Sequence, residues 1–288
     1  MAQPLNSRPP AAWVATQLTW VSRQLLLVPE AVLLLTLLCL HSVLGAPPLL
    51  ALLGIAITLY FALRTTFIAL GQRALAGADY GRAARLAQIA IAMYPGSADA
   101  HALAGSVHLA RGQSEQGVAA FRRAIACYPL QADLYTALSA ALLDEGRPQE
   151  AREEARRALA LDPRSAAAHL HLAGAEEQLG APKEQVEAVL RAGLNYATAP
   201  ADEATLRCAL AALLVSAGRA AEAQLALAGT ERLLARCPAP QRAGLHYHIG
   251  ELLQASGYAE AARSHYSASE RLDPHGRFAA AAWRAARW

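Results

Sequence analysis

A segment of 34 residues recurs along this chain, and the recurrence restricts the possible folds more than any other feature. Its clearest copy is Ala132 to Ser165, ADLYTALSAALLDEGRPQEAREEARRALALDPRS. Tyr135, Leu138 and Ser139 are spaced to share one face of a first helix, and Gly146 breaks that helix. Ala151, Ala155 and Ala158 mark the inner face of a second helix, which Pro163 stops. A period of this length signals stacked supersecondary units, none of which can bury its apolar face alone.

The same frame fits most of the chain. Residues 98–131 carry Gly105, Gly112, Gly117, Phe121, Ala124 and Pro129 in register. Residues 166–199 keep Leu172, Ala173, Gly180 and Ala192, and their stop comes late, at Pro200. A fifth copy starts near Ala204 with Leu210, Ala211, Gly218 and Ala223; its second helix is expected to run a turn long before Pro238-Ala239-Pro240. The sixth, 243–276, has Ile249, Gly250, Gly257, Ala262, Tyr266 and Pro274. Upstream, Phe67, Leu70 and Gly71 followed by Tyr80, Ala83, Ala90 and Pro95 make a first copy from residue 64. A last helix, 277–288, is expected to cap the open end of the stack.

The aromatic-Leu-small start and the Ala…Ala…Pro finish resemble the tetratricopeptide (TPR) repeat. The resemblance implies an all-α solenoid of about six helical hairpins across 64–276. It also implies a concave groove lined by the second, fifth and ninth positions of each repeat. The fifth positions are Ile68, Ala102, Thr136, Leu170, Cys208 and Tyr247. The ninth are Gln72, Ser106, Ala140, Gly174, Ala212 and Glu251. The Lys and Asn that clamp an acidic chaperone tail in one subtype are missing, so a mildly apolar groove for a partner peptide or helix is expected.

The first 63 residues fall outside this pattern. Met1 to Pro10 reads as a polar, proline-containing tail. Ala11 to Val28 reads as an interfacial helix, with Trp13 and Trp20 on one face. Two apolar runs, Ala31 to Leu44 and Leu49 to Leu63, flank the uncharged turn Gly45-Ala46-Pro47-Pro48. They predict a transmembrane helical hairpin over 29–63, since hydrocarbon demands that backbone groups be satisfied within each helix. Arg8 and Arg23 precede the runs, and Arg64, Arg73, Arg82 and Arg85 follow them. This distribution places both ends, and the repeats, in the cytoplasm at the inner membrane. A cleaved signal peptide, with Val43 and Gly45 before the cut, is the competing reading. Because 64–70 are claimed by both the membrane run and the first repeat, one helix is expected to carry both.

Composition excludes several classes. The net charge is +3, and the 26 basic residues, Arg in all but Lys183, are dispersed among carboxylates. A nucleic-acid footprint is therefore not expected. Cys39, Cys127, Cys208 and Cys237 form no CxxC pair, so no disulfide framework is expected. His101, His169 and His246 recur at the fourth repeat position, with His171 and His248 two residues on. Two-repeat separations are too long for one metal ion, and residues two apart point to different helix faces. These histidines read as packing groups. No nucleophile elbow, phosphate loop or zinc signature is present, so neither catalysis nor a cofactor is expected.

The expected function is a non-enzymatic, membrane-anchored scaffold that recruits protein partners at the cytoplasmic face. In layout, two membrane helices followed by TPRs resemble the adaptor subunit of Pel-type exopolysaccharide machinery. An accessory subunit of a large membrane enzyme complex, docked on other membrane subunits through the hairpin, is the alternative.

Overall fold

The computed structural model describes residues 36–37, 39–40, 42 and 48–287. The expected tail and interfacial helix, most of the first apolar run and Trp288 lie outside them. Every regular element among the described residues is helical. The chain divides into two units, residues 1–66 and 67–288.

In the first unit, α1 (Pro48–Ala76) begins. Its Leu52, Leu53, Ile55, Leu59 and Leu63 are exposed. Its hydroxyls are satisfied within the helix: Thr58 Oγ1 donates to Gly54 O and Thr66 Oγ1 to Ala62 O. Leu52–Ala76 is the one stretch among the described residues that is long and apolar enough to cross a membrane. The described residues thus hold one candidate span and not the expected two-helix hairpin; the first apolar run falls largely outside them.

From Phe67 onward the second unit is built of helix pairs. The remainder of α1 is followed by α2 (Tyr80–Met93). Then come α3 (Ala98–Ala110) with α4 (Ser114–Cys127), α5 (Ala132–Asp144) with α6 (Pro148–Leu161), and α7 (Ala166–Gln178) with α8 (Lys183–Tyr196). Within each pair, the turn is reversed by a residue in the left-handed region. Gly112, Gly146, Gly180, Gly218 and Gly257 hold this place with φ of 68 to 84°, and in the first pair Ala78 does so with φ 61°. Ser97 and Ser165 cap α3 and α7, each hydroxyl accepting from an amide three residues on.

The helices approach closely at the eighth position of each repeat. Gly71, Gly105, Ser139, Ala173, Ala211 and Gly250 are all buried there. A Cβ on Gly105 would lie 2.8 Å from the Phe121 ring, and one on Gly250 2.7 Å from the Tyr266 ring. The aromatic of the second helix thus occupies the space of the missing side chain. In the third pair that aromatic is replaced by Ala155, and Ser139 fits, its Oγ donating to Ala151 O at 2.8 Å. Large and small residues alternate across the crossing so that the interior stays filled.

The fifth pair departs from the expected single long second helix. After α9 (Pro200–Ser216), α10 (Ala220–Leu227) ends, Gly229 turns the chain at φ 81°, and α11 (Thr230–Leu234) follows. The left-handed glycine is the physical reason for the break. The sixth pair is α12 (Ala239–Ala255) with α13 (Ala259–Leu272). The last helix, α14, spans Ala279–Ala285, shorter than 277–288. Arg277 and Phe278 precede it in a turn rather than lying within the helix.

Candidate functional site

The candidate groove is built on the first helices of the repeats, where residues four apart lie one above the other on a common face. On α3 this gives the stripe Ala102, Ser106, Ala110, and on α5 the stripe Thr136, Ala140, Asp144. On α12 the corresponding face carries Gly244, Tyr247 and Glu251.

The expected groove residues divide by exposure. Gln72 and Glu251 are exposed, and Ala102, Ser106, Leu170 and Tyr247 are half-buried. Ile68 packs with Ala90 and Ala100, and Thr136 is buried with its hydroxyl donating to Ala132 O. Cys208 packs with Leu234, Cys237, Leu245 and Ile249, and burial pushes its thiol up to about 12. A thiol held neutral in an apolar cluster is a packing group, not a nucleophile. Ile68, Thr136 and Cys208 therefore offer little surface to a ligand.

The histidines at the fourth position all have local partners. His101 Nε2 lies 2.9 Å from Pro95 O, and His169 Nδ1 lies 2.9 Å from Ser165 O. His246 and His265 meet through their Nδ1 atoms at 3.0 Å, and burial lowers the pKa of both. His171 is pushed down to about 4, burial outweighing the opposing pull of Asp144. Among the described residues no group of three or more His, Cys, Asp or Glu could hold a metal ion.

What covers the first helix of the sixth repeat comes from residues 277–278, inside the stretch expected to cap the stack. The Phe278 ring stacks on Tyr247, with centroids 4.9 Å apart, and meets His248 edge-on at 5.1 Å. It also fills the space above Gly244, where a Cβ would come within 3.1 Å of it. Glu251 accepts from His248 at 3.0 Å, and this partner lowers the Glu251 pKa. The preceding Arg277 reaches the second and third repeats. Its backbone N–H donates to Ala110 O at 3.0 Å, and its guanidinium forks onto both carboxylate oxygens of Asp144. Asp273, at the end of α13, accepts from the Tyr80 hydroxyl, which raises the Tyr80 pKa behind the larger effect of burial. The sequence marks this stretch only as the expected cap, and nothing in it points to Asp144.

A family model described as tetratricopeptide repeat matches residues 68–132 and 136–203. Over these residues the chain carries tetratricopeptide repeats. Solved structures agree on the TPR fold. A tetratricopeptide repeat protein from Parabacteroides merdae is 15% identical with a TM-score of 0.57, and the likeness covers 95% of this chain and 96% of that one. PilW, a type IV pilus biogenesis factor, is 19% identical with a TM-score of 0.53, covering 76% of this chain and 98% of that one. Pseudomonas aeruginosa pilF is 20% identical with a TM-score of 0.51, covering 75% and 94%. The chain spans only 27% of a Thermobaculum terrenum O-GlcNAc transferase chain. No curated protein matches the chain. At these identities the likenesses concern the fold alone.

Proposed function

We propose that this chain is a membrane-anchored TPR scaffold that holds protein partners at the cytoplasmic face and performs no chemistry of its own. TPR solenoids serve as protein-protein interaction surfaces, and the first-helix stripes here provide one. The observation that carries the anchored reading is the run of exposed leucines and isoleucines on α1, within a 25-residue apolar stretch. An apolar face of that extent, left in water, would drive association. Hydrocarbon satisfies it, with the backbone bonded inside the helix. The apolar run preceding it supplies the second arm of the hairpin, and the arginines on both sides of the pair keep the repeats cytoplasmic.

Alkaline carbonate washing of membranes from cells expressing the full chain tests the anchor. The chain is expected to stay in the pellet, and a variant lacking residues 29–63 to be released. Protease added to inside-out vesicles is expected to digest the repeats, while right-side-out vesicles protect them. Release of the intact chain by carbonate overturns the anchor, and digestion from the outer side overturns the orientation.

A further inference from the structure

Two of the chain's own residues, Arg277 and Phe278, already contact the first helices that carry the groove positions. Phe278 sits on the groove face of α12, over Gly244 and Tyr247. Arg277 sits at the far end of two other stripes, bonding Ala110 O of the 102–106–110 stripe and Asp144 of the 136–140–144 stripe. Two adjacent residues thus span from the sixth repeat to the second and third. They also touch each other, the Arg277 guanidinium lying 4.7 Å from the Phe278 ring centre.

We propose that Arg277–Phe278 is a self-ligand: it fills the subsite where a protein partner presents an arginine next to an aromatic residue on a tight turn, and such a partner binds by displacing it. This deepens the scaffold reading, and rests on the groove part of it, by naming the chemistry of the ligand. Three observations select that chemistry. A forked guanidinium matches the Asp144 carboxylate in a way a lysine cannot. The floor at Gly244 and Tyr247 admits a flat ring, because Gly244 has no side chain to obstruct it. The backbone acceptor Ala110 O is met by the amide of Arg277 itself, which fixes the arginine backbone directly before the ring of Phe278.

The contact is built to be released. The Arg277 and Asp144 side chains are 31% and 23% exposed, so water competes for the pair. The turn folds tightly because Gly276 leaves room for the Asp273 carboxylate, with which any Cβ would collide. Tethering gives the turn an effective concentration of about millimolar. A partner segment must exceed that, so the intact chain binds weakly and specifically, whereas a chain with an altered turn binds well.

The test uses the full chain in detergent micelles and a fluorescein-labelled peptide of residues 272–281, LDPHGRFAAA, read by fluorescence anisotropy. The R277A/F278A variant is expected to bind this peptide at least about tenfold more tightly than the unaltered chain does. Replacing the peptide arginine by alanine, or adding Asp144→Asn to the variant, is expected to remove the gain. No binding by the emptied groove, or equal binding of the Arg→Ala peptide, overturns the proposal. Should the double variant lose helicity, Asp144→Asn alone serves: spin labels at residues 113 and 275 are expected to move apart, and an unchanged distance overturns the proposal. Because these measurements need no bilayer, their failure leaves the membrane reading standing, and a carbonate-released chain leaves the peptide result standing.

Discussion

The second to fourth repeats and the fifth and sixth are the same motif under different constraint. Repeats two to four start at Ala98, Ala132 and Ala166, a strict 34-residue pitch, and the family match covers them. Their buried small residues and matched partners, Gly105 with Phe121 and Ser139 with Ala151 O, leave no slack. Repeats five and six start at Ala204 and Ala243, off pitch, and the second helix of repeat five is broken at Gly229. The irregular half is also the half that supplies the turn closing over the groove. In the regular half each repeat packs on its neighbours, whereas in the irregular half a segment also reaches distant repeats.

Four changes would break or sharpen this contrast. The largest effect is expected from Phe121→Ala in the regular half. The ring is 1% exposed and packs on Gly105, so removing it leaves a cavity; a loss of about 3–5 kcal/mol in denaturant midpoint analysis is expected. A loss below about 1 kcal/mol would show that this half is looser than its packing.

Acid should act next, through His171. Its folded pKa of about 4 lies below the ordinary value of 6.5, so the unfolded chain binds the extra proton first. Stability is whole above about pH 6.5 and falls between about pH 6.5 and 4, by about 3 kcal/mol at most. Thermal melts across that window are expected to show the fall, with a shallower slope in His171→Leu. An identical slope in that variant would assign the acid sensitivity to other groups, with His246 and His265 the next candidates because their pKa values are lowered in the same sense.

Gly229→Ala places a Cβ at φ 81° in the broken helix and is expected to cost about 1–2 kcal/mol. Amide hydrogen exchange should confine the faster exchange to residues near 220–237. Spread of that exchange into α5 or α7 would mean the two halves unfold as one. The smallest effect is expected from Ala78→Gly, which relieves a left-handed alanine at the position where the later repeats use glycine. Relief at the turn is partly offset by the greater freedom of glycine in the unfolded chain, leaving a gain of about 0.5 kcal/mol. A decrease in melting temperature would contradict the strain at Ala78.

Much of the fold was legible because its determinants are local. Glycine at residue 146 or 180 marks a left-handed turn, and Ala151, Ala155 and Ala158 mark a close-packed face, within a single repeat. The groove was legible only as a set of positions. Cys208 and Thr136 stand at the expected fifth positions, yet they are buried by neighbours that no spacing rule names. The break at Gly229 was overlooked because an isolated glycine near the end of an alanine-rich helix reads as tolerated. Phe278 covers repeat six as a cap does, whereas the Arg277 contact leaves no local pattern, because Asp144 lies 133 residues away in the chain.

By itself, the sequence determined that this chain folds into paired helices stacked in series, with an apolar segment ahead of them. Helix periodicity, caps and turn glycines act over three to eight residues and leave a readable pattern. Only the tertiary structure decided that the last turn lies over the groove and that a guanidinium and a ring fill it. Contacts between repeats so far apart depend on the accumulated rotation of every intervening pair, and no period in the sequence encodes that sum.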